Sequence, residues 1–223
     1  MEKVFEEIKK RRKPNFSSCE KIVSFGREFS ICSDNSGGVA GSIWNSAFEI
    51  ISYLEERGFD PNVPILDLGS GTGVMLSLSA QARLCVLSDL PEAEPLIQHN
   101  IILNHVEARC CFAPLRWGWA GASACPITSY GPAGPCDLHE LLPFALVIVS
   151  DCLYKSAAYS DLACTLAAVT RPGSEVIFAY SVRIQREHEF LDSLTREGSL
   201  PRFEVRLRRV HKDRFLVVLR RMS

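Results

Sequence analysis

Two carboxylates and a glycine-rich turn are the residues of this chain best placed to do chemistry. Asp67 lies within the apolar run Ile65-Leu66-Asp67-Leu68, which leads into Gly69-Ser70-Gly71-Thr72-Gly73. Glycine at every second position allows positive φ and leaves no side chain between the backbone and a ligand. Leu84-Cys85-Val86-Leu87-Ser88-Asp89 is a second apolar run ending in an acid, with Asp89 standing 22 residues after Asp67. A dinucleotide fingerprint would read G-x-G-x-x-G, and a P-loop would need Gly-Lys-Ser/Thr where Val74 and Met75 stand. The loop alone could be a tight turn in a structural α/β unit. Together with an acid that can accept both ribose hydroxyls at the end of the next strand, it points to a nucleoside-containing ligand.

These residues need a scaffold of alternating strands and helices, and the sequence supplies one. Strands are predicted over Val63–Leu68, Leu84–Ser88, Glu107–Ala113, Phe144–Val149 and Glu175–Tyr180, and helices over Val74–Gln81, Glu92–Leu103, Ala157–Val169 and Gln185–Glu197. Ahead of them, Lys21–Cys32 reads as a β-hairpin around Gly26-Arg27. Trp44, Ala47, Phe48, Ile51 and Leu54 mark one face of a helix that Gly58 and Pro61 stop. Phe203–Val210 and Arg214–Arg220 read as a terminal antiparallel pair. The expected fold is α/β: a doubly wound, mostly parallel sheet with an antiparallel C-terminal edge and an N-terminal β-hairpin. We divide the chain into an extension at 1–35, with a short helix over Val4–Lys10 and the hairpin, and a domain at 36–223. The stretch 118–143, rich in Gly, Pro, Ala and Ser, shows neither period and is read as an irregular insertion.

Composition narrows the possibilities. The 223 residues suffice for one domain with a sizeable core, and 47% hydrophobic and 23% charged residues describe an ordinary globular protein. A net charge of −1 gives no basic surface for nucleic acid, and no apolar run reaches the length of a membrane span. Met1–Lys13 lacks the apolar core of a secretory signal. The nine cysteines contain no C-x-x-C and are read as reduced thiols of a cytoplasmic or nuclear protein. No metal site is expected, because the histidines do not sit at ligand spacing from cysteine pairs. The basic run Lys9–Pro14 is read as the solvated end of the first helix, with a nuclear import signal or a contact for an acidic partner as the alternatives.

The turn at Gly69–Gly73 resembles motif I of the class I S-adenosylmethionine (SAM) methyltransferases. Other segments resemble one branch of them, the methyltransferase-like protein-lysine methyltransferases that act on valosin-containing protein, Hsp70-type chaperones and elongation factors. Gly41-Ser42-Ile43-Trp44-Asn45-Ser46-Ala47 is similar to its G-x-x-x-W-D-A-A, and Asp89-Leu90-Pro91 with Asn100 and Asn104 to its D-L-P…N-x-x-x-N. Leu115-Arg116-Trp117-Gly118 is similar to its L-x-W-G, Asp151-Cys152-Leu153-Tyr154 to its D-x-x-Y, and Tyr180-Ser181-Val182-Arg183 to its Y-x-x-R. The matches run in order along nearly the whole chain. Three departures stand out: Asn45 for the usual Asp, Ser150 for Ala or Gly before Asp151, and the insertion at 118–143.

The resemblance implies a seven-stranded Rossmann-like sheet, SAM as methyl donor with S-adenosylhomocysteine as product, and a protein lysine as acceptor. It places the cofactor against Trp44, Asp67, Gly69, Ser70, Gly71, Asp89, Trp117 and Ser150. Each has a plainer reading: Asp67 as a loop cap, Asp89 as the N-cap of the next helix, and both tryptophans as core. Asp151 and Tyr154 become the catalytic pair that would guide the lysine cation, with Tyr154 alternatively a packing residue. Tyr180 and Arg183 would contact the substrate, unless Arg183 merely pairs with a surface acid. The expected partner is a protein of the chaperone, ATPase or translation-factor class; no nucleic acid, no membrane and a monomeric enzyme are expected. A small amine or a base is the alternative acceptor, although Asp-Cys-Leu-Tyr is not the Asn/Asp-Pro-Pro-Tyr of base-amino methyltransferases. A non-catalytic scaffold is the remaining alternative.

Overall fold

The structure, a computed structural model, describes residues 16–34, 38–121, 125–129, 136–184, 186–199 and 201–222. The predicted helix at Val4–Lys10 and the basic run Lys9–Pro14 lie outside the described residues. The parallel centre comprises β3 (Ile65–Leu68), β4 (Cys85–Asp89), β5 (Cys110–Pro114), β8 (Leu146–Ser150) and β9 (Glu175–Ser181). In space they run β9-β8-β3-β4-β5, all parallel. Apart from their last residues, β3, β4, β5 and β8 are buried throughout, which is why each reads as an unbroken apolar run rather than an alternation. The chain winds outward from β3 to β5 and then returns to place β8 on the other side of β3. That reversal is a switch point, and it opens a crevice at the carboxyl ends of β3 and β8.

The sheet is wider than the resemblance implies, with nine strands among the described residues. β10 (Phe203–His211) and β11 (Arg214–Arg221) form the antiparallel edge beyond β9. At the opposite edge, β6 (Pro126–Ser129) pairs antiparallel with β5, and β7 (Cys136–Asp137) pairs with β6. Both belong to the segment expected to be irregular. They escaped detection because β6 meets β5 at only two residue pairs, Cys111–Ser129 and Phe112–Thr128, too few for an alternating pattern. A capping box at Asp137 and Glu140 starts the following 3-10 turn, Leu138–Leu141.

One face of the sheet packs against α1 (Ser46–Arg57), α2 (Glu94–Leu103) and the hairpin of β1 (Phe16–Ser24) and β2 (Arg27–Asp34). The other packs against α3 (Tyr159–Val169) and α4 (Glu187–Thr195). The helix expected over Val74–Gln81 is a 3-10 helix over Val74–Ala80, buried from Val74 through Ser79. Ile22, Phe29 and Ile31 join the same buried cluster as Ile50, Leu54 and Ile97, so the hairpin is continuous with the core. Cys19 and Cys32 lie opposite each other in the hairpin and form a disulfide, a correction to the reading of all cysteines as reduced thiols; spacing alone could not show that the hairpin register brings them face to face.

Two asparagines, Asn100 on α2 and Asn104 at its C-cap, bind the hairpin to the sheet. Asn100 accepts the N–H of Cys32 at 2.9 Å and donates to the carbonyls of Cys32 (2.9 Å) and Thr72 (2.8 Å). Asn104, one turn on, does the same for Ser30, accepting at 2.7 Å and donating at 2.8 Å. Four helical residues advance about 6 Å and two strand residues about 6.7 Å. The side chains of Asn100 and Asn104 therefore meet successive outward peptide groups of β2, as a neighbouring strand would.

Candidate active site

A cavity of about 390 Å³ opens at the switch point. Its floor is the turn after β3, its walls are the ends of β4, β5 and β8, and one side is closed by residues 39–44. Of the ten residues assigned to catalysis or cofactor binding, every one lines it: Trp44, Asp67, Gly69, Ser70, Gly71, Asp89, Trp117, Ser150, Asp151 and Tyr154. Tyr180 does not. It lies on β9 with 1% of its surface exposed, its ring stacked on Phe215 and its hydroxyl 2.8 Å from Nδ1 of His188. The motif put Tyr180 beside the substrate, but both faces of β9 are covered, and the face it occupies is core.

Four of the loop's five N–H groups are taken up within the protein. Gly69 and Ser70 donate theirs to the Ser88 carbonyl, Gly73 to Ser70, and Gly71 to Oδ2 of Asp89 at 2.8 Å. Glycine is needed here for room. Gly69 and Gly71 sit at φ 80° and 55°; a Cβ on Gly69 would fall 2.5 Å from Sγ of Cys152, and one on Gly71 would fall 3.2 Å from the Ala40 carbonyl.

What faces the cavity is acceptor-rich. Oδ1 of Asp67 is buried without a hydrogen-bond partner, as is Oγ of Ser150. Burial pushes Asp67 up to about 7, with the Ser70 hydroxyl opposing and the Asp89 charge adding to the rise. Asp89 is raised too, chiefly by burial, against the pull of the Gly71 and Leu90 N–H groups. Each of its oxygens accepts one of these bonds and keeps a lone pair for a hydroxyl. Asp89 does not cap a helix: the following 3-10 turn starts at Leu90 without a side-chain cap.

These observations test the implied cofactor. Two destabilised carboxylates and spent N–H groups disfavour a phosphate. They suit an ammonium at Asp67 and vicinal hydroxyls at Asp89, which SAM carries on its amino-acid arm and on its ribose. Trp117, with Cζ2 3.2 Å from the Cβ position of Gly69, provides a flat apolar wall for a base. The residues fit the cofactor. A pH dependence follows. Below pH 7 a proton must leave Asp67 before it can meet a cation, so SAM affinity is expected to fall by up to tenfold per pH unit from 7 downward and to level off above it. Calorimetric titration from pH 5.5 to 8.5 measures this; a flat profile in the native protein would refute it, and Asp67→Asn is expected to flatten it.

At the mouth, Tyr154 is 43% exposed and Trp44 37%, with Leu90 (40%) and Val39 (49%) beside them. Trp44 precedes α1 rather than lying on its core face, and its Nε1 donates to the Val39 carbonyl at 2.9 Å. Burial raises the Tyr154 phenol above its ordinary value, so it is neutral at physiological pH. Asp151 is not the free carboxylate expected for guiding a lysine. Its Oδ1 accepts from Nη1 of Arg183 at 2.6 Å, and its side chain is 3% exposed. Arg183 thus pairs with an acid, but a buried one inside the site. Two other residues were not anticipated. Cys152 closes the cavity floor, its thiol donating to the Leu68 carbonyl at 3.3 Å. Glu187 accepts the backbone N–H groups of Arg183 (2.7 Å) and Ile184 (3.0 Å). Among the described residues there is no cluster able to hold a metal ion, and no helix is long and apolar enough to cross a membrane.

Comparison with known proteins agrees with this geometry. The chain is similar to the protein N-lysine methyltransferase METTL21A of Mus musculus, 25% identical over 165 residues, covering 72% of this chain and 69% of that protein. The Xenopus tropicalis METTL21A is 24% identical over 166 residues (70% and 67% covered), and the EEF1A lysine methyltransferase 3 of that species 26% over 160 residues (68% and 61%). Among solved structures, a 16S rRNA methyltransferase of T. thermophilus in complex with AdoMet and guanosine superposes with a TM-score of 0.63 at 16% identity, covering 94% of this chain and 52% of that one. A ribosomal-protein methylase of Lactobacillus delbrueckii subsp. bulgaricus gives 0.58 at 14% identity, covering 82% and 81%. At these identities the two structures establish the fold alone. The family model described as Lysine methyltransferase matches residues 25–197, the hairpin turn through α4, and this chain belongs to that family of SAM-dependent enzymes.

Proposed function

We propose that this chain methylates a lysine exposed on a folded protein of the chaperone, ATPase or translation-factor class. The observation that carries it is the polarity of the cavity: carboxylates at its closed end and an apolar, aromatic mouth at Trp44, Leu90 and Tyr154. Relatives named as acting on protein lysines, one of them on EEF1A, support this acceptor.

SAM, when bound, supplies a methyl group on a positively charged sulfur and leaves as S-adenosylhomocysteine. The residues of the chain hold and exclude. Asp67 and the turn at Gly69–Gly71 hold the amino-acid end, Asp89 the ribose and Trp117 the base. A lysine amine must be neutral to attack, which from pKa ~10.4 costs about 4.6 kcal/mol at pH 7. Asp151 does not act as the base, since Arg183 already occupies it. The neighbouring sulfonium charge lowers the amine's pKa, and water takes the proton. Tyr154 and Trp44 line the passage, where aromatic faces receive a cation and shed its water. Rate enhancement then comes mainly from holding the nitrogen in line.

The test is transfer of tritiated methyl from SAM into a cell lysate. Label is expected in protein, removed by protease and spared by nuclease. Tyr154→Ala is expected to reduce incorporation by about tenfold while SAM affinity is retained. Label that follows nucleic acid or small molecules would overturn the proposal.

A further inference from the structure

Arg183 does more than neutralise Asp151. Its guanidinium also lies over the ring of Trp44, 5.0 Å from the centroid. One side chain therefore joins three segments distant in sequence: the link from β2 to α1, the end of β8, and the turn after β9.

Two of these three points are fixed without it. Asp151 is held at φ 54°, a left-handed conformation that is costly for a residue other than glycine, and its N–H donates to the Ala179 carbonyl of β9 at 2.7 Å. Arg183 is set by Glu187, which is itself 1% exposed and accepts two successive N–H groups of that turn. β8 and β9 are paired neighbours, so Asp151 and Arg183 would stay close together in any case. Trp44 is different. It belongs to residues 38–45, which contribute Val39, Ala40, Ser42 and Trp44 to the cavity wall and lie outside every strand of the sheet. What the arginine adds is therefore a hold on that wall.

We propose that Arg183 is a positioning residue which clasps Trp44 to Asp151, and that this clasp fixes the 38–45 wall against the cofactor and sets how fast the cofactor exchanges. The chemistry requires arginine. A planar guanidinium can bond a carboxylate through its edge while its face stacks on an indole; an ammonium has no face and satisfies one partner at the expense of the other. The clasp is also open to adjustment, because the Arg183 side chain is 35% exposed while its acid is 3% exposed. The proposal concerns cofactor exchange and does not depend on the identity of the protein substrate.

The experiment is the dissociation rate of tritiated SAM from the full chain, measured by chase with excess unlabelled SAM. Arg183→Gln and Trp44→Leu are each expected to speed loss of label about tenfold. The double variant is expected to be no faster than the quicker single one, since both break the same contact. Arg183→Lys, which keeps the charge but loses the stacking face, is expected to fall between wild type and Arg183→Gln. An unchanged rate in Arg183→Gln would overturn the clasp. So would multiplying effects in the double variant, which would mean that Trp44 touches the cofactor independently of Arg183. A role in stability alone would lower the melting temperature of the cofactor-free protein and leave the rate untouched, which also overturns it. If Arg183→Gln does not fold, the lysine variant decides: a wild-type rate refutes the clasp, and a faster one supports it. Failure of wild type to retain any label would instead count against SAM binding itself.

Discussion

Asn100→Leu is expected to cost about 3–5 kcal/mol of stability and to lower the melting temperature by roughly 10 °C or more. The side chain is fully buried and serves three backbone groups: the N–H and carbonyl of Cys32 and the carbonyl of Thr72. Leucine fills nearly the same volume but leaves all three without a partner in a place water does not reach. Each such group costs about 1–3 kcal/mol, far more than the net gain from making one hydrogen bond. The loss also reaches the site, because Thr72 belongs to the turn that forms the cavity floor. Circular dichroism melts with and without SAM measure both effects: a lowered midpoint in the free protein and a smaller upward shift on adding the cofactor. A midpoint within 2 °C of wild type, read with the usual ~2–4 °C per kcal/mol for a domain of this size, would show that the hairpin is not held as the structure indicates.

Gly69→Ala is expected to weaken SAM binding by about a hundredfold or more and to destabilise the free protein by about 2–5 kcal/mol. Two costs add. At φ 80° an L side chain is in the left-handed region, worth about 1–2 kcal/mol. The new methyl would also stand 2.5 Å from Sγ of Cys152 and 3.2 Å from Cζ2 of Trp117. Cys152 has little freedom to yield: it is 6% exposed, and its thiol is bonded to the Leu68 carbonyl. Displacing it pushes the cavity floor and Trp117 together, where the cofactor must lie. The double variant Gly69→Ala/Cys152→Ala separates the two costs. It is expected to recover the steric part, about half of the loss, and to leave the backbone part. Full recovery would mean that the left-handed turn is dispensable; no recovery would mean that Cys152 is not the obstacle. Calorimetry for affinity and thermal melts for stability give the comparison.

The sequence by itself determined the scaffold and the cofactor end of the site. Both are local in the chain. A strand buried on both faces is an uninterrupted apolar run, so β3, β4 and β8 were legible to within two residues. The acids and glycines that follow β3 and β4 sit at fixed offsets from those runs. Because ligands gather at the carboxyl ends of parallel strands, strand order carried Gly69, Asp89, Ser150 and Asp151 into one cavity without any knowledge of their contacts.

Only the tertiary structure decided what those residues are bonded to. The glycine turn reads as open backbone for a ligand, but Ser88 and Asp89 hold the N–H groups of Gly69, Ser70 and Gly71. Tyr180 and Arg183 share one motif, but the strand's end divides them, one into the core and one across the mouth. Burial on both faces of β9 removes the alternation that would have told them apart. The insertion became two strands because β5 had an unpaired edge to lend, and Cys19 met Cys32 because a hairpin register set them opposite. The joining of Trp44, Asp151 and Arg183 is the clearest case. Nothing in a chain records that a guanidinium has an edge for one partner and a face for another until folding brings three distant segments to the same point.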